Sequence, residues 1–215
     1  MVDVKGKVKE FFSRSGLEIT KEQARLFLVF YDYLSEKNIK KSLSAITSFE
    51  DVVIKHFIDS AIVSKFVDLP SPLLDIGSGA GFPAAPLKII NPKCEMIVSE
   101  NRKDRIKFLI GLIDLLGLSG INVYPQKVKS DFPIFVRGII TRAVEPAEAT
   151  LKRCAAFLDP GAKVILMKGP ASEDEILSAA KEMEEYYLLK DDISYTIPET
   201  SYLRRLSVFI KRDGA

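Results

Sequence analysis

The stretch LLDIGSGAGFPAAP, residues 73–86, decides the fold of this chain. An apolar pair leads into an acid, three glycines then alternate with small residues, and two prolines follow. Because Gly77, Gly79 and Gly81 carry no side chain, a ligand could approach the backbone closely there. A strand before this turn and a helix after it would place the turn at the carboxyl end of a parallel sheet, where open α/β sheets bind ligands.

The sequence around this turn alternates between short apolar runs and helical patterns. Strands are predicted at PLLDIG (72–77), EMIVSE (95–100), INVYPQ (121–126), GIITRAV (138–144) and AKVILMKG (162–169). Helices are predicted between them at FPAAPLKII (82–90), RKDRIKFLIGLIDLLGL (102–118), EPAEATLKRCAAFL (145–158) and SEDEILSAAKEMEEYY (172–187). Two last strands, 191–200 and 202–212, have no helix between them. The predicted fold class is therefore α/β, with a Rossmann-like, doubly wound, mostly parallel sheet that ends in an antiparallel hairpin.

The first seventy residues show helical patterns only. A helix is predicted over 20–38, with Thr20 as its N-cap and Glu22 and Gln23 near the N3 position of a capping box. A second helix is predicted over 49–67, before two prolines interrupt the chain. We therefore expect a helical N-terminal extension over 1–70 and an α/β domain over 71–215.

Composition limits the possible functions. A net charge of +2 means that any nucleic-acid binding must rely on local patches. No apolar run reaches membrane-spanning length and the first residues lack a signal-peptide pattern, so we expect a cytoplasmic protein without a membrane segment. Two distant cysteines, Cys94 and Cys154, indicate reduced structural residues, and a single histidine argues against a zinc site or a hydrolytic triad. No metal is predicted.

Two acids near the glycines suggest which cofactor is bound. The spacing is G-x-G-x-G, with Phe82 where the third glycine of a dinucleotide fingerprint would fall. Asp75 would repel a pyrophosphate but suits an ammonium or sulfonium group. Glu100 ends the second strand, where an acid can accept bonds from both ribose hydroxyls. Either acid could instead be a strand-end or helix-cap residue, but together they favour S-adenosylmethionine over NAD.

The chain resembles the class I S-adenosylmethionine-dependent methyltransferases, and more narrowly the RsmG family, also called glucose-inhibited division protein B. The segments that carry the resemblance are HFIDS (56–60), DIGSGAGFPAAPLKI (75–89), SENRKDRIKFL (99–109), TRAVEP (141–146) and MKG (167–169). The resemblance implies methylation of guanine N7 in 16S ribosomal RNA, with the rRNA or the small ribosomal subunit as partner. We expect a monomer.

The resemblance also implies roles for single residues. Gly77 and Phe82 match cofactor-contacting positions of the family's loop. Val128 and Lys129 match the pair that borders the adenine, although the family usually has an acidic residue where Lys129 stands. Arg142 matches the arginine that ends the fourth strand and reaches the cofactor site.

Several cations and the single histidine are candidates for RNA contact. For His56, on an apolar helix, the structural alternative is a buried histidine, and the resemblance places it near the mouth of the active site. For Arg102 and Lys103 the alternative is a solvated helix face. For Lys168, at the carboxyl edge of the sheet, it is a plain loop charge. The last candidates, Arg204 and Arg205, lie on opposite faces of one strand.

No residue is expected to act as a general base, because guanine N7 carries a lone pair and no proton at neutral pH. Two other functions stay open. One is a methyltransferase that acts on a small molecule or a protein, and the other is a non-catalytic rRNA-binding assembly factor. The glycine turn and Glu100 argue against the second of these.

Overall fold

A computed structural model describes residues 4–41, 45–142, 144–198 and 200–213. Seven strands form one sheet in the order β3-β2-β1-β4-β5-β7-β6. The strands are β1 (Leu73–Ile76), β2 (Met96–Ser99), β3 (Ile121–Tyr124), β4 (Gly138–Arg142), β5 (Lys163–Lys168), β6 (Tyr187–Thr196) and β7 (Leu203–Lys211). The first five strands pair in parallel, whereas β7 pairs antiparallel with both β5 and β6. The predicted fold class is confirmed.

The strand order places the ligand site. From β1 the chain runs outward through β2 to β3, and then returns to β4 on the other side of β1. This reversal opens a crevice at the carboxyl ends of β1 and β4, where doubly wound sheets bind ligands. The glycine turn follows β1 directly, so it lies at the crevice.

Helices cover both faces of the sheet. The helical segments are α1 (Val4–Arg14), α2 (Lys21–Lys41), α3 (Phe49–Val52), a π-helical turn (Val53–Ile58), α4 (Asp59–Ala61), a 3₁₀ turn (Ile62–Lys65), α5 (Ala84–Ile90), α6 (Lys103–Leu116), α7 (Ala147–Ala155) and α8 (Glu173–Glu182). The predicted capping box of α2 is confirmed, since the Gln23 amide donates to Thr20 Oγ1 at 3.1 Å and the Thr20 amide donates to Gln23 Oε1 at 2.8 Å.

The core has an apolar layer on each side of the sheet. Residues of α7 and α8 bury one face, and residues of α5 and α6 bury the other. The N-terminal helices pack outside α5 and α6 through a cluster that joins Phe27, Phe30 and Phe57 to Phe82 of the glycine loop. Apolar packing thus continues across residue 70, and the division of the chain there stays a prediction. Within the described ranges, no helix is long and apolar enough to cross a membrane.

One predicted boundary is wrong. The helix predicted over 172–187 ends at Glu182, and β6 begins at Tyr187 instead of at residue 191. Tyr187 is buried, pairs with Lys211 in the ladder and donates its hydroxyl to the Leu151 carbonyl oxygen at 3.1 Å. Burial of this ring beneath α7 outweighs the local helical pattern.

Candidate active site

The glycine turn joins β1 to α5 and is fixed against the end of β2. All three glycines have positive φ, 74° at Gly77, 60° at Gly79 and 91° at Gly81. The amides of Gly77 and Ser78 both donate to the Ser99 carbonyl oxygen, at 3.0 and 3.2 Å. A Cβ on Gly77 would lie 2.9 Å from Cγ2 of Val144. The turn therefore needs glycine for its backbone conformation and, at Gly77, also for space.

Asp75 lies beneath this turn, and within the described part of the chain only one of its two carboxylate oxygens accepts a hydrogen bond. Its Oδ2 accepts from the Ala84 amide at 3.2 Å. Among the described residues, its Oδ1 and the Ser78 hydroxyl are buried without a hydrogen-bond partner. Burial raises the pKa of Asp75 to about 6. A buried carboxylate with a free acceptor is suited to a cationic ligand group.

Glu100 is held so that its two oxygens differ. Its Oε1 accepts from the amides of Asn101 and Arg102, at 2.8 and 2.9 Å. Its Oε2 lies 3.6 Å from Nη1 of Arg105, and the side chain is 5% exposed. The carboxylate is fixed by backbone at one oxygen and keeps acceptor capacity at the other.

A cavity of about 230 Å³, the Glu100 cavity, joins the glycine turn to the ends of β2 and β3. It is lined by Ile76, Gly77, Ser99, Glu100, Asn101, Lys127, Val128, Val144, Glu145 and Arg153. Three predicted cofactor residues, Gly77, Glu100 and Val128, line it directly. Lys127 lines the cavity instead of Lys129, whose side chain is exposed.

A second cavity of about 320 Å³, the Arg142 cavity, lies on the other side of the β4 end. It is lined by Ile46, Lys55, His56, Asp59, Arg142, Met167, Lys168, Gly169 and Arg204. Asp59 Oδ2 accepts from Arg142 Nη1 at 3.3 Å, and its Oδ1 accepts from Arg204 Nε at 2.8 Å. Asp59 is 4% exposed, so one buried carboxylate fixes two guanidinium groups from different strands.

The His56 ring contacts both Arg142 and Phe82 of the glycine loop. It stacks on Phe82 with ring centroids 4.4 Å apart, and Arg142 lies 5.2 Å above the same Phe82 ring. His56 Nδ1 is 3.3 Å from Arg142 Nη2. Because arginine only donates, this contact is a hydrogen bond in the tautomer in which Nδ1 accepts. His56 belongs to the π-helical turn, an irregularity that is frequent at functional sites.

We predict that His56 does not titrate near neutral pH. Burial, and secondarily the charge of Arg142, lower its pKa from 6.5 to about 4. Because His56 is the only histidine, its ring resonances in NMR spectra need no further assignment. We expect a titration midpoint close to pH 4, and a midpoint near 6.5 would contradict the described packing.

The same shift has a consequence for stability. The unfolded chain binds this proton more readily than the folded protein, so the contribution of His56 to the free energy of unfolding falls as the pH drops from about 6.5 to about 4. His56→Gln should remove this component from a denaturation series over that range. An unchanged pH profile in this variant would show that His56 is not its source.

The other residues predicted to contact RNA differ in exposure, since some lie on the surface and others are buried in ion pairs. Arg102 and Lys103 are exposed at the start of α6. Lys168 lines the Arg142 cavity, but its ammonium donates to the Glu145 carbonyl oxygen and to Glu175. Arg205 is 6% exposed. It bonds to Asp192 and Glu173, so its guanidinium has no surface on which to meet RNA.

Sequence reasoning did not single out Lys55, Val144, Glu145 and Arg153, which line the two cavities. Glu145 Oε2 accepts from Arg153, and its Oε1 accepts from Thr150 at 3.0 Å. The TRAVEP segment pointed to this region, because it follows the strand next to β1. Asp59 lies within the HFIDS segment, but its pairing with two arginines is a tertiary feature.

Comparison with known proteins finds one family. A sequence model described as rRNA small subunit methyltransferase G matches residues 23–198. The chain is 36% identical to ribosomal RNA small subunit methyltransferase G 2 of Bdellovibrio bacteriovorus over 206 residues, covering 95% of the chain and 81% of that protein. It is 34% identical to ribosomal RNA small subunit methyltransferase G of Carboxydothermus hydrogenoformans, covering 97% and 92%. A relative from Syntrophobacter fumaroxidans, ribosomal RNA small subunit methyltransferase G 2, is 39% identical, and the chain spans 39% of its length.

Solved structures share the fold at low identity. A methyltransferase from Pyrococcus furiosus superposes with a TM-score of 0.61 at 16% identity, covering 86% of this chain and 97% of that one. The ribosomal protein L11 methylase from Lactobacillus delbrueckii superposes with a TM-score of 0.57 at 11% identity, covering 72% and 77%. At these identities the likeness concerns the fold alone.

Proposed function

The chain belongs to the rRNA small subunit methyltransferase G family, and we propose on that basis that it transfers a methyl group from S-adenosylmethionine to N7 of a guanine in small-subunit ribosomal RNA. In this proposal the protein acts as a monomer in the cytoplasm. Its partner is 16S rRNA, either naked or within the small subunit.

The observation that carries the proposal is that the two cavities lie close together at the end of β4. Val144 and Glu145 line the Glu100 cavity, whereas Arg142, two residues before Val144, lines the Arg142 cavity. Lys168 lines the Arg142 cavity and donates to the Glu145 carbonyl oxygen at 2.6 Å. The two cavities both lie at the end of β4, so a methyl donor in the first and an acceptor base in the second would lie next to each other there.

The residues of the Glu100 cavity fit S-adenosylmethionine. Glu100 Oε2 can accept from ribose hydroxyls, because the two backbone amides occupy only Oε1. The bare backbone at Gly77 admits close approach, and the unpartnered Oδ1 of buried Asp75 supplies negative charge below the turn. When bound, S-adenosylmethionine supplies a methyl group that its positively charged sulfur already activates.

The protein's part in the reaction is positioning. Guanine N7 offers a lone pair and loses no proton, so a general base is not required. His56 is unsuited to that role, because burial lowers its pKa to about 4 and makes it a weak base. Asp59 and Phe82 instead hold Arg142 at the boundary of the two cavities, which favours alignment of donor and acceptor.

The proposed RNA surface comprises the mouth of the Arg142 cavity with His56 and Arg204, together with the exposed start of α6. Lys168 and Arg205 are left out, because their charged groups are engaged inside the protein. With a net charge of only +2, RNA binding must rely on a local surface of this kind.

Charge reversal of Arg102 and Lys103 to glutamate should weaken RNA binding. Fewer counterions would be released, so the slope of log affinity against log salt should shrink by roughly 1.5 if both residues contact phosphates. Reversal of Lys181 and Lys190, exposed on α8 and β6, is the matched control and should leave the slope unchanged. If both double variants showed the same slope of log affinity against log salt, the start of α6 would not belong to the RNA-binding surface.

Glu100→Gln should weaken binding of S-adenosylmethionine by about 1–3 kcal/mol, the value of charge-assisted bonds to hydroxyls. The glutamine oxygen can keep the two backbone amides, but its NH₂ group would replace the acceptor Oε2. The variant should also discriminate less against a 2′-deoxyribose analogue. Glu95→Gln, at an exposed position just before β2, is the control. If Glu100→Gln weakened binding of S-adenosylmethionine and of the 2′-deoxyribose analogue equally, Glu100 would not contact the ribose 2′-hydroxyl.

The function itself is tested by methyl transfer. Labelled S-adenosylmethionine is incubated with purified small subunits that lack the modification, with naked 16S rRNA and with large-subunit rRNA as control. We expect 7-methylguanosine in small-subunit rRNA only, and no transfer to RNA that carries 7-deazaguanosine, in which the nucleophilic nitrogen is carbon. Label in protein, in a small molecule or in another nucleoside would overturn the assignment. Failure to bind S-adenosylmethionine in calorimetry would support a non-catalytic assembly factor.

A further inference from the structure

The segment between β4 and α7, residues 144–147, shapes the Glu100 cavity. Val144 is apolar yet 43% exposed, and it lies against Gly77 of the glycine turn. Glu145 lines the same cavity and is tied to Arg153 through its carboxylate. An exposed valine on a cavity wall is suited to apolar contact with a ligand, so the position of this segment should decide how well the cofactor fits.

Lys168 reaches this segment from the Arg142 cavity. It is the last residue of β5 and is 9% exposed. Its Nζ donates to the Glu145 carbonyl oxygen at 2.6 Å and to Glu175 Oε1 at 2.8 Å. The ammonium group of Lys168 therefore bonds to the backbone of a residue that lines the Glu100 cavity.

Glu175 completes the arrangement from α8. Its Oε1 accepts from the Ala147 amide at 2.7 Å as well as from Lys168. Ala147 is the first residue of α7, where backbone amides lack partners within the helix. A single carboxylate oxygen therefore joins the end of β5 to the start of α7, and the segment 144–147 is held at the Glu145 carbonyl oxygen and at the Ala147 amide.

We propose that Lys168 and Glu175 form a clamp on residues 144–147, and that Lys168 is a positioning residue for cofactor binding, acting through the wall of the Glu100 cavity. This rests on the proposed function, in which that cavity holds S-adenosylmethionine. Lys168 stabilises the segment at a carbonyl oxygen and Glu175 stabilises it at an amide. Because the two side chains are bonded to each other, loss of either partner loosens both contacts.

The test measures binding of S-adenosylmethionine and of 16S rRNA separately, by calorimetry and filter binding. Lys168→Met keeps the apolar stem without the charge, Glu175→Gln keeps the shape of the side chain, and Glu175→Ala removes it. We expect Lys168→Met and Glu175→Ala to weaken cofactor binding by about tenfold or more with rRNA affinity unchanged. Glu175→Gln should restore part of the loss, because it retains an acceptor for Ala147.

The kinetic readout separates positioning from general destabilisation. The KM for S-adenosylmethionine should rise while kcat and the KM for rRNA change little. The double variant Lys168→Met/Glu175→Ala should lose no more than the larger single loss, because the two residues act as one unit. Glu173→Ala, on the same turn of α8 but bonded to Arg205, is the matched control and should bind as the wild type does.

The outcomes are distinct. If the wild type does not bind S-adenosylmethionine, the proposed function fails. If the wild type binds and Lys168→Met and Glu175→Ala bind equally well, the clamp is refuted. If Lys168→Met loses affinity for rRNA alone, Lys168 contacts RNA and the inference is overturned.

Discussion

Asp59→Ala is expected to lower the free energy of unfolding by about 2–4 kcal/mol. Removing one partner of a fully buried ion pair costs about 3–5 kcal/mol, because the remaining charge is left without compensation. Here the stranded groups are Arg142 and Arg204, whose side chains keep 20% and 27% exposure, so solvent softens the loss. For a chain of this size the melting temperature should fall by about 5–15 °C, measured by calorimetry.

Two variants sharpen this prediction. Asp51→Ala removes an exposed partner of Lys55 from the same helical region and should lower the melting temperature much less than Asp59→Ala does. Adding Arg204→Ala to Asp59→Ala should recover part of the stability, since one stranded charge is removed. If Asp59→Ala were as stable as Asp51→Ala, the carboxylate would not be the anchor of the Arg142 cavity.

Gly77→Val should abolish cofactor binding, with a loss of more than about a hundredfold. A left-handed backbone costs an ordinary residue roughly 1–2 kcal/mol, and valine is less suited to it than most. The new Cβ would also lie 2.9 Å from Val144 Cγ2, a separation that requires one of the two segments to move. Both segments line the Glu100 cavity, so either movement changes its shape.

Gly161→Val is the matched control for this variant. Its φ is 80°, close to the 74° of Gly77, but a Cβ there would meet nothing within 4 Å. It should show a comparable loss of stability in thermal unfolding and normal affinity for S-adenosylmethionine in calorimetry. If Gly77→Val bound S-adenosylmethionine as tightly as the wild type does, the proposed cofactor site at this turn would be wrong.

Local patterns were enough to predict most of the fold. The positions of the strands and helices were predicted because apolar spacing, glycines and prolines constrain the backbone over a few residues. The exception, residues 183–187, has a helical pattern but turns and enters β6 instead. There the burial of Tyr187 under α7, a contact with distant residues, decided the conformation.

The sequence by itself determined the glycine turn, the acids Asp75 and Glu100, and the alternation of strands and helices that brings them to one sheet edge. Only the tertiary structure decided which charges line the two cavities. Asp59 bonds to Arg142 and Arg204, which lie 83 and 145 residues away along the chain, and Arg205 is drawn into an internal ion pair instead. The physical reason is that a charge close to the sheet edge takes whichever partner the packing of other elements places within reach, and no local pattern encodes that choice.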